Sequence, residues 1–353
     1  MEKIKIGIIG TGNISRAHIK SYLKNPNVEL YAFCDIHEGR LYEAGKEFGI
    51  ERLYTNLDEM LALPELDAVS VTTWNSEHAP CTIKALNAGK HVLCEKPMAT
   101  TVEDAIAMKE AAERNGKLLM IGFVRRFGND MKLIRDFKDK EYFGEIYYSK
   151  ATYVRRNGNP MGWFGDKSRS GGGPLIDLGV HVIDFVRYVL GNPKPVSVYG
   201  ATFKKLGART NIKTPKGYVS FSATKDDICD VEDLSSAMVR FDNGAVLQIE
   251  AAFSLNTTSN KGEIELFGTK AGVKLGKTLT FATETNDYLS NVEICQDASI
   301  DFDGIFKGEI NHFVDCIMNG TRCQNPAEDG IEIMKILAAI YQSAETGHEV
   351  VID

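Results

Sequence analysis

The chain has 353 residues, too many for one ordinary core and suited to two domains. With 43% hydrophobic and 25% charged residues it has a globular composition, and its net charge of −7 speaks against nucleic acid, whose phosphates need clustered Lys and Arg. No apolar run is long enough to span a membrane, and the N-terminus lacks the apolar core of a signal peptide.

Seven cysteines without a CxxC spacing indicate neither a metal site nor a disulfide framework. The expected compartment is therefore the reducing cytoplasm.

The first third alternates apolar runs with amphipathic segments. Residues 4–9, 28–34, 68–72, 91–94 and 118–121 read as buried strands, and residues 14–23, 38–48, 57–63, 79–88 and 102–114 as the helices between them. Ser76 and Thr101 are expected N-caps, and Gly89 and Gly116 stand where helices should stop. This alternation predicts a doubly wound parallel sheet with helices on both faces, a dinucleotide-binding domain over residues 1–122.

Beyond it, residues 123–353 predict an α+β domain built on a large, mostly antiparallel open sheet. Its helices are expected at 130–138, 175–190, 309–318 and 329–346, and its strands at 146–155, 196–204, 234–241, 245–254 and 262–267, with a short run at 349–352. Asp242-Asn243-Gly244 is a hairpin turn, and the helices at 309–346 are candidates to pack back on the first domain. A large sheet with helices on one face needs cover on the other. A homodimer or homotetramer joined through that sheet is expected.

Three segments carry chemistry. Gly10-Thr11-Gly12, followed by Asn13 and Ile14, comes after the first strand and opens the first helix. Such a turn lets backbone amides approach a pyrophosphate at the helix N-terminus. Ser15 stands where the G-x-G-x-x-G fingerprint has Gly or Ala. Asp35, about 20 residues on at the end of the second strand, is placed to accept both ribose hydroxyls and to repel a 2′-phosphate, which predicts NAD over NADP. Arg40 on the next helix bears on that discrimination.

Thr73, Trp74 and Asn75 follow the fourth strand and offer hydrogen bonds and a flat aromatic to the cofactor. His78 reads either as another cofactor contact or as a helix residue packed on the sheet. Glu95-Lys96-Pro97 follows the fifth strand. Lys96 is placed to hold a substrate hydroxyl and stabilise the alkoxide-like oxygen, and Glu95 to face the nicotinamide-side ribose. Asp177 and His181 lie four apart, neighbours on one helix face after a glycine stretch. His181 is the candidate proton acceptor and Asp177 orients the hydroxyl or the ring. In the loop 155–167, Arg155 and Trp163 are candidate substrate contacts.

Together these segments resemble the Gfo/Idh/MocA oxidoreductases over essentially the whole chain. The resemblance implies a Rossmann domain, an α/β domain with an open sheet used for oligomerisation, and NAD(P)-dependent oxidation of a sugar or polyol hydroxyl. It assigns the catalytic lysine to Lys96 and the acid/base pair to Asp177 and His181. The loop 155–167, the segments Gly171–Asp177, Val231-Glu232-Asp233 and Tyr341–Gly347 are similar to the glucoside 3-dehydrogenase branch, while inositol dehydrogenases share the core motifs. The alternatives are a glycosidase that keeps NAD bound and oxidises transiently at C3, and a non-catalytic NAD-binding sensor.

Overall fold

The computed structural model describes residues 3–213, 217–276 and 278–352. Met1, Glu2 and Asp353, at the ends of the expected domain spans, lie outside them. The described chain falls into two units: Met1–Val124 with Phe302–Met334, and Arg125–Asp301 with Lys335–Asp353. Of the stretch 123–353, residues 302–334 thus group with the first unit.

In unit 1 the elements run β1 (Ile4–Ile9), α1 (Ser15–Leu23), β2 (Val28–Cys34), α2 (Glu38–Phe48), β3 (Leu53–Tyr54), α3 (Leu57–Leu61), β4 (Ala68–Val71), α4 (His78–Asn87), β5 (His91–Glu95), α5 (Val102–Asn115) and β6 (Leu119–Gly122). The strands form one parallel sheet in the order β3-β2-β1-β4-β5-β6. Order reverses between β1 and β4, which places the cofactor crevice at their carboxyl ends. Thr101 caps α5 by accepting the Asp104 amide at 3.1 Å. Ser76 caps nothing. It sits inside a single 3₁₀ turn, Asn75–Glu77, that tightens the chain before α4 begins at His78.

In unit 2 the elements are α6 (Asn129–Lys138), β7 (Ile146–Val154), α7 (Lys167–Ser170), α8 (Val180–Leu190), β8 (Pro195–Phe203), β9 (Leu234–Phe241), β10 (Val246–Ala252), β11 (Lys261–Gly268), β12 (Gly272–Leu275), β13 (Leu279–Thr285) and β14 (Tyr288–Glu293). Then α9 (Phe302–Asn319) and the start of α10 (Ala327–Thr346) belong to unit 1, and β15 (Val350–Val351) to unit 2. Nine strands form one sheet, β14-β13-β12-β11-β7-β10-β9-β8-β15. Its ladders are antiparallel except for β7 with β10, which run parallel.

The two faces of this sheet differ by the period-2 rule. Gly200 on β8 and Ala237 on β9 are paired and face Ile340 of α10, whereas the neighbouring pair Tyr199 and Met238 points the other way, 57% and 45% exposed. Among the described residues no helix is long and apolar enough to cross a membrane.

One buried ion pair anchors α8. Arg126 and Asp184 are 0% and 1% exposed, joined by Nε and Nη2 hydrogen bonds of 2.5–3.2 Å, with the guanidinium also over Tyr188. Removing one partner strands the other charge in a low-dielectric interior. Arg126→Leu is therefore expected to cost about 3–5 kcal/mol in urea unfolding, while Arg126→Leu with Asp184→Leu should recover most of it. Equal losses in the single and double variants would refute the pairing.

Candidate active site

At the end of β1 the chain turns on Gly10, whose φ of +87° excludes most side chains and whose Cβ would meet the Thr72 carbonyl oxygen at 2.8 Å. Thr72 locks this approach by donating its hydroxyl to the Gly10 carbonyl at 2.6 Å. Gly12 faces open space, with no heavy atom within 4 Å of a Cβ built there. At the start of α1 the amides of Arg16 and Ala17 turn onto the Asn13 and Ile14 carbonyls at 3.4 and 3.0 Å. Ser15, the departure from the fingerprint, is fully buried and donates to the Gly12 carbonyl at 2.7 Å. It closes the turn that a glycine would only permit.

Asp35 stands where the sequence places it, at the end of β2, and it also holds the turn. One carboxylate oxygen accepts the Thr11 amide and hydroxyl at 2.7 and 2.9 Å; the other accepts the His37 amide at 2.7 Å and meets Arg40 at 3.4 Å. Thr73 carries a buried hydroxyl oxygen with no partner within the chain. Trp74 beside it is half-buried and Asn75 buried. The open Gly12 face and the unpartnered Thr73 hydroxyl are what a dinucleotide site requires.

Two expected cofactor contacts are turned inward. His78 is 1% exposed, with Nδ1 2.7 Å from the Pro97 carbonyl and Nε2 3.3 Å from that of Thr73. Burial also holds its pKa below the ordinary imidazole value. It braces the Lys96-Pro97 segment and has no ring atom to offer a ligand. Glu95 is likewise buried. Its Oε1 meets His18 Nε2 at 2.9 Å and its Oε2 accepts the Lys96 amide at 3.0 Å. From His18 the network continues to Ser70 at 3.2 Å and from Ser70 to Tyr22 at 2.8 Å. Burial alone would raise the Glu95 pKa, but the His18 ring and the Lys96 charge outweigh it and hold the carboxyl below its ordinary value. Lys96 itself, joined to Pro97 by a cis peptide, is half-buried at the carboxyl end of β5.

In unit 2 the chain before α8 is not a regular helix. Leu175–Gly179 forms one π-helical turn, so Asp177 and His181 lie across a widened turn rather than on a plain i, i+4 face. Burial nonetheless singles them out. From Gly172 to Arg187 every residue is buried except these two.

The segment is held by Glu232, whose carboxylate accepts the amides of Gly173 and Leu175 at 2.9 and 3.2 Å and the Tyr341 hydroxyl at 2.9 Å. Side chains at 172 and 173 would collide with the Tyr341 hydroxyl and the Glu232 carbonyl, which accounts for the glycine run. Sequence reasoning gave Glu232 and Tyr341 no role. Glu232 lies in an acid-rich stretch with Asp226, Asp227, Asp230 and Asp233, so no local signal sets it apart.

Arg155 lies half-buried over the Tyr153 ring, donating to Gly158, and Trp163 stacks on Phe164 at 3.9 Å. Both keep solvent-facing surface. Sequence reading missed the chain between β8 and β9 that joins them. Gly162 donates to Asp227, Ser220 to Pro160 and Asp230 to Gly165, which lays the two loops together. They bring Tyr218 against Phe164 and near Asp177. Its hydroxyl is pushed up to about 12 by burial and by the Asp177 charge. Nothing local in the sequence marks Tyr218.

The family model described as "Oxidoreductase family, NAD-binding Rossmann fold" matches residues 4–123, and "Oxidoreductase family, C-terminal alpha/beta domain" matches residues 139–352. The chain is 32% identical to D-glucoside 3-dehydrogenase of Escherichia coli (strain K12) over 98% of its length and 97% of the relative's. It is 28% identical to levoglucosan dehydrogenase of Pseudarthrobacter phenanthrenivorans over 77% of this chain and 73% of that one. A solved structure of levoglucosan dehydrogenase with NADH superposes with a TM-score of 0.86 at 25% identity, each chain covered in full.

Glu95 stays ionised in the folded chain to lower pH than its ordinary value of 4.5. Its stabilisation is therefore complete above that value and is lost as pH falls through the depressed one. The thermal midpoint of the wild type should exceed that of Glu95→Gln at about pH 7, and the gap should close on acidification below about pH 4.5. A gap that stays constant through that range would contradict the assignment.

Proposed function

The chain belongs to the Gfo/Idh/MocA oxidoreductase family, with that family's NAD-binding Rossmann domain, and on this premise we propose that it oxidises a secondary hydroxyl of a cyclic sugar, glycoside or polyol to the ketone. The observation that carries the reading is the exposure of Asp177 and His181 alone within an otherwise buried run. A structural polar stripe would extend to neighbouring turns. Two proton-handling groups kept partly exposed amid fourteen buried positions have a task in solution.

Bound NAD supplies the hydride acceptor. Lys96 holds the reacting hydroxyl and stabilises the negative charge that grows on its oxygen. The His181 imidazole takes the hydroxyl proton, and Asp177 orients the hydroxyl or the ring. Asp35 favours the unphosphorylated adenosine ribose, and Thr73, Trp74 and Asn75 line the cofactor's path. Arg155 and Trp163 recognise sugar hydroxyls and a sugar face. Similarity over nearly the full chain to a D-glucoside 3-dehydrogenase supports C3 of a hexose or glycoside as the first choice of carbon. The reaction is assigned to the cytoplasm, where NAD is available.

The exposed apolar pair on the outer sheet face, Tyr199 with Met238, supports association through that face into a dimer or tetramer.

NADH formation across glucosides, hexoses and inositols tests the reading. One substrate group should reduce NAD in preference to NADP, and Lys96→Ala and His181→Ala should each lower kcat/KM by about 10²–10⁴. Aglycone release without NADH would move the chain to glycosidase chemistry, and undiminished turnover in either variant would remove that residue from the mechanism. For the assembly, Tyr199→Glu with Met238→Glu should reduce the mass measured by light scattering to that of one chain. An unchanged mass would place the interface elsewhere.

A further inference from the structure

The C-terminal part of unit 1 holds three soft donors that the cofactor turn and the catalytic groups do not use. His312 and Cys316 lie one turn apart on α9, and Cys323 returns to them from the loop past the helix end. One donor atom from each lies within 4.8 Å of the other two, and Cys316 Sγ is 3.4 Å from His312 Nε2. A tetrahedral zinc with Zn–S of about 2.3 Å and Zn–N of about 2.0–2.1 Å has sulfur-to-nitrogen edges of roughly 3.5 Å. The observed spacing is that edge. Cys316 is buried while His312 and Cys323 are half-buried, so the cluster closes on the protein side and opens on the solvent side.

We propose that His312, Cys316 and Cys323 bind a zinc ion, with water as the fourth ligand. Two thiolates and an imidazole select a borderline-soft cation over magnesium or calcium, which require oxygen donors. Binding is a plain ligand exchange: the two thiols each release a proton, the imidazole gives its Nε2 lone pair, and no electron moves. In the metal-free chain that lone pair accepts the Gln324 amide at 2.9 Å, so zinc displaces this amide.

The loop concerned is tied to the cofactor sheet. The Asn325 carbonyl accepts the Ile121 amide at 2.9 Å and its Nδ2 donates to the Ile121 carbonyl at 3.0 Å, next to a bridge between Met120 and Pro326. Zinc would therefore clamp the α9–α10 connection to the edge strand β6. The spacing His-x₃-Cys-x₆-Cys resembles no common zinc motif, which is why a search for CxxC does not find it.

The full chain, stripped with chelator under reductant, is titrated with zinc chloride, desalted and assayed for bound metal by atomic emission. About one zinc per chain is expected. His312→Ala and Cys323→Ser should each weaken binding by roughly a hundredfold, whereas Cys295→Ser, an exposed thiol elsewhere, should leave it unchanged. Zinc should also raise the thermal midpoint of the wild type and not that of Cys323→Ser. Equal substoichiometric zinc in the wild type and Cys323→Ser would overturn the site. So would a Cys316–Cys323 disulfide in the isolated chain that, once reduced, still takes up no zinc.

Discussion

A carboxylate taken out of water must find hydrogen-bond donors, and in this chain the donors are mostly backbone amides at the places where function is built. Asp35 accepts from Thr11 and His37 and fixes the glycine turn. Glu95 accepts from Lys96 and fixes the end of β5. Glu232 accepts from Gly173 and Leu175 and fixes the segment bearing Asp177. Asp233 gathers the amides of Lys205, Leu206 and Gly207 and pins the base of the long loop after β8. Each acid trades its hydration for a fixed piece of main chain. The turn after β1, the end of β5, the segment bearing Asp177 and the loop after β8 take their positions from these four anchors.

The same constraint explains why two of these acids titrate in opposite directions. Glu95 has the hydrogen bond of the His18 ring and the Lys96 ammonium beside it, and together they overcome the effect of burial. Glu232 has only amides and a phenol, so burial prevails and its carboxyl is raised, while the Tyr341 hydroxyl that donates to it is raised in turn. Asp177 and His181 are the two positions between Gly172 and Arg187 that keep partial exposure to water.

Much of the first unit was legible because buried parallel strands are near-continuous apolar runs, and five of the six could be found on that signal. The two-residue β3 was too short to carry a pattern. In the second unit β14 is exposed and looks like loop, and pairing in register makes it a strand, whereas β12 and β13 carry Val273, Leu275, Leu279 and Phe281 in buried alternation, a signal too short in each run to stand out. The hairpin at Asp242–Gly244 was readable since its turn chemistry is local, with Gly244 at φ +84°. Motif and spacing single out Gly10, Gly12, Asp35, Lys96, Asp177 and His181 as the groups proposed for the site. The direction of Glu95 is not legible, because a strand-end side chain reads the same whether it turns outward or into the sheet; His78, at the start of α4, follows the second of its two readings and packs inward.

The sequence by itself determined the two-unit plan, the glycine turn, the family and the identity of the chemical groups. These follow from apolar periodicity and from residue types at fixed spacings, which are properties of neighbours along the chain. Tertiary structure alone decided which acids are anchors and which stay exposed, that the segment before α8 opens into a π turn, that Tyr218 approaches Asp177, and that His312, Cys316 and Cys323 converge. Those outcomes depend on burial and on contacts between residues far apart in sequence: Glu232 reaches Gly173 across 59 positions, and no local pattern encodes that meeting.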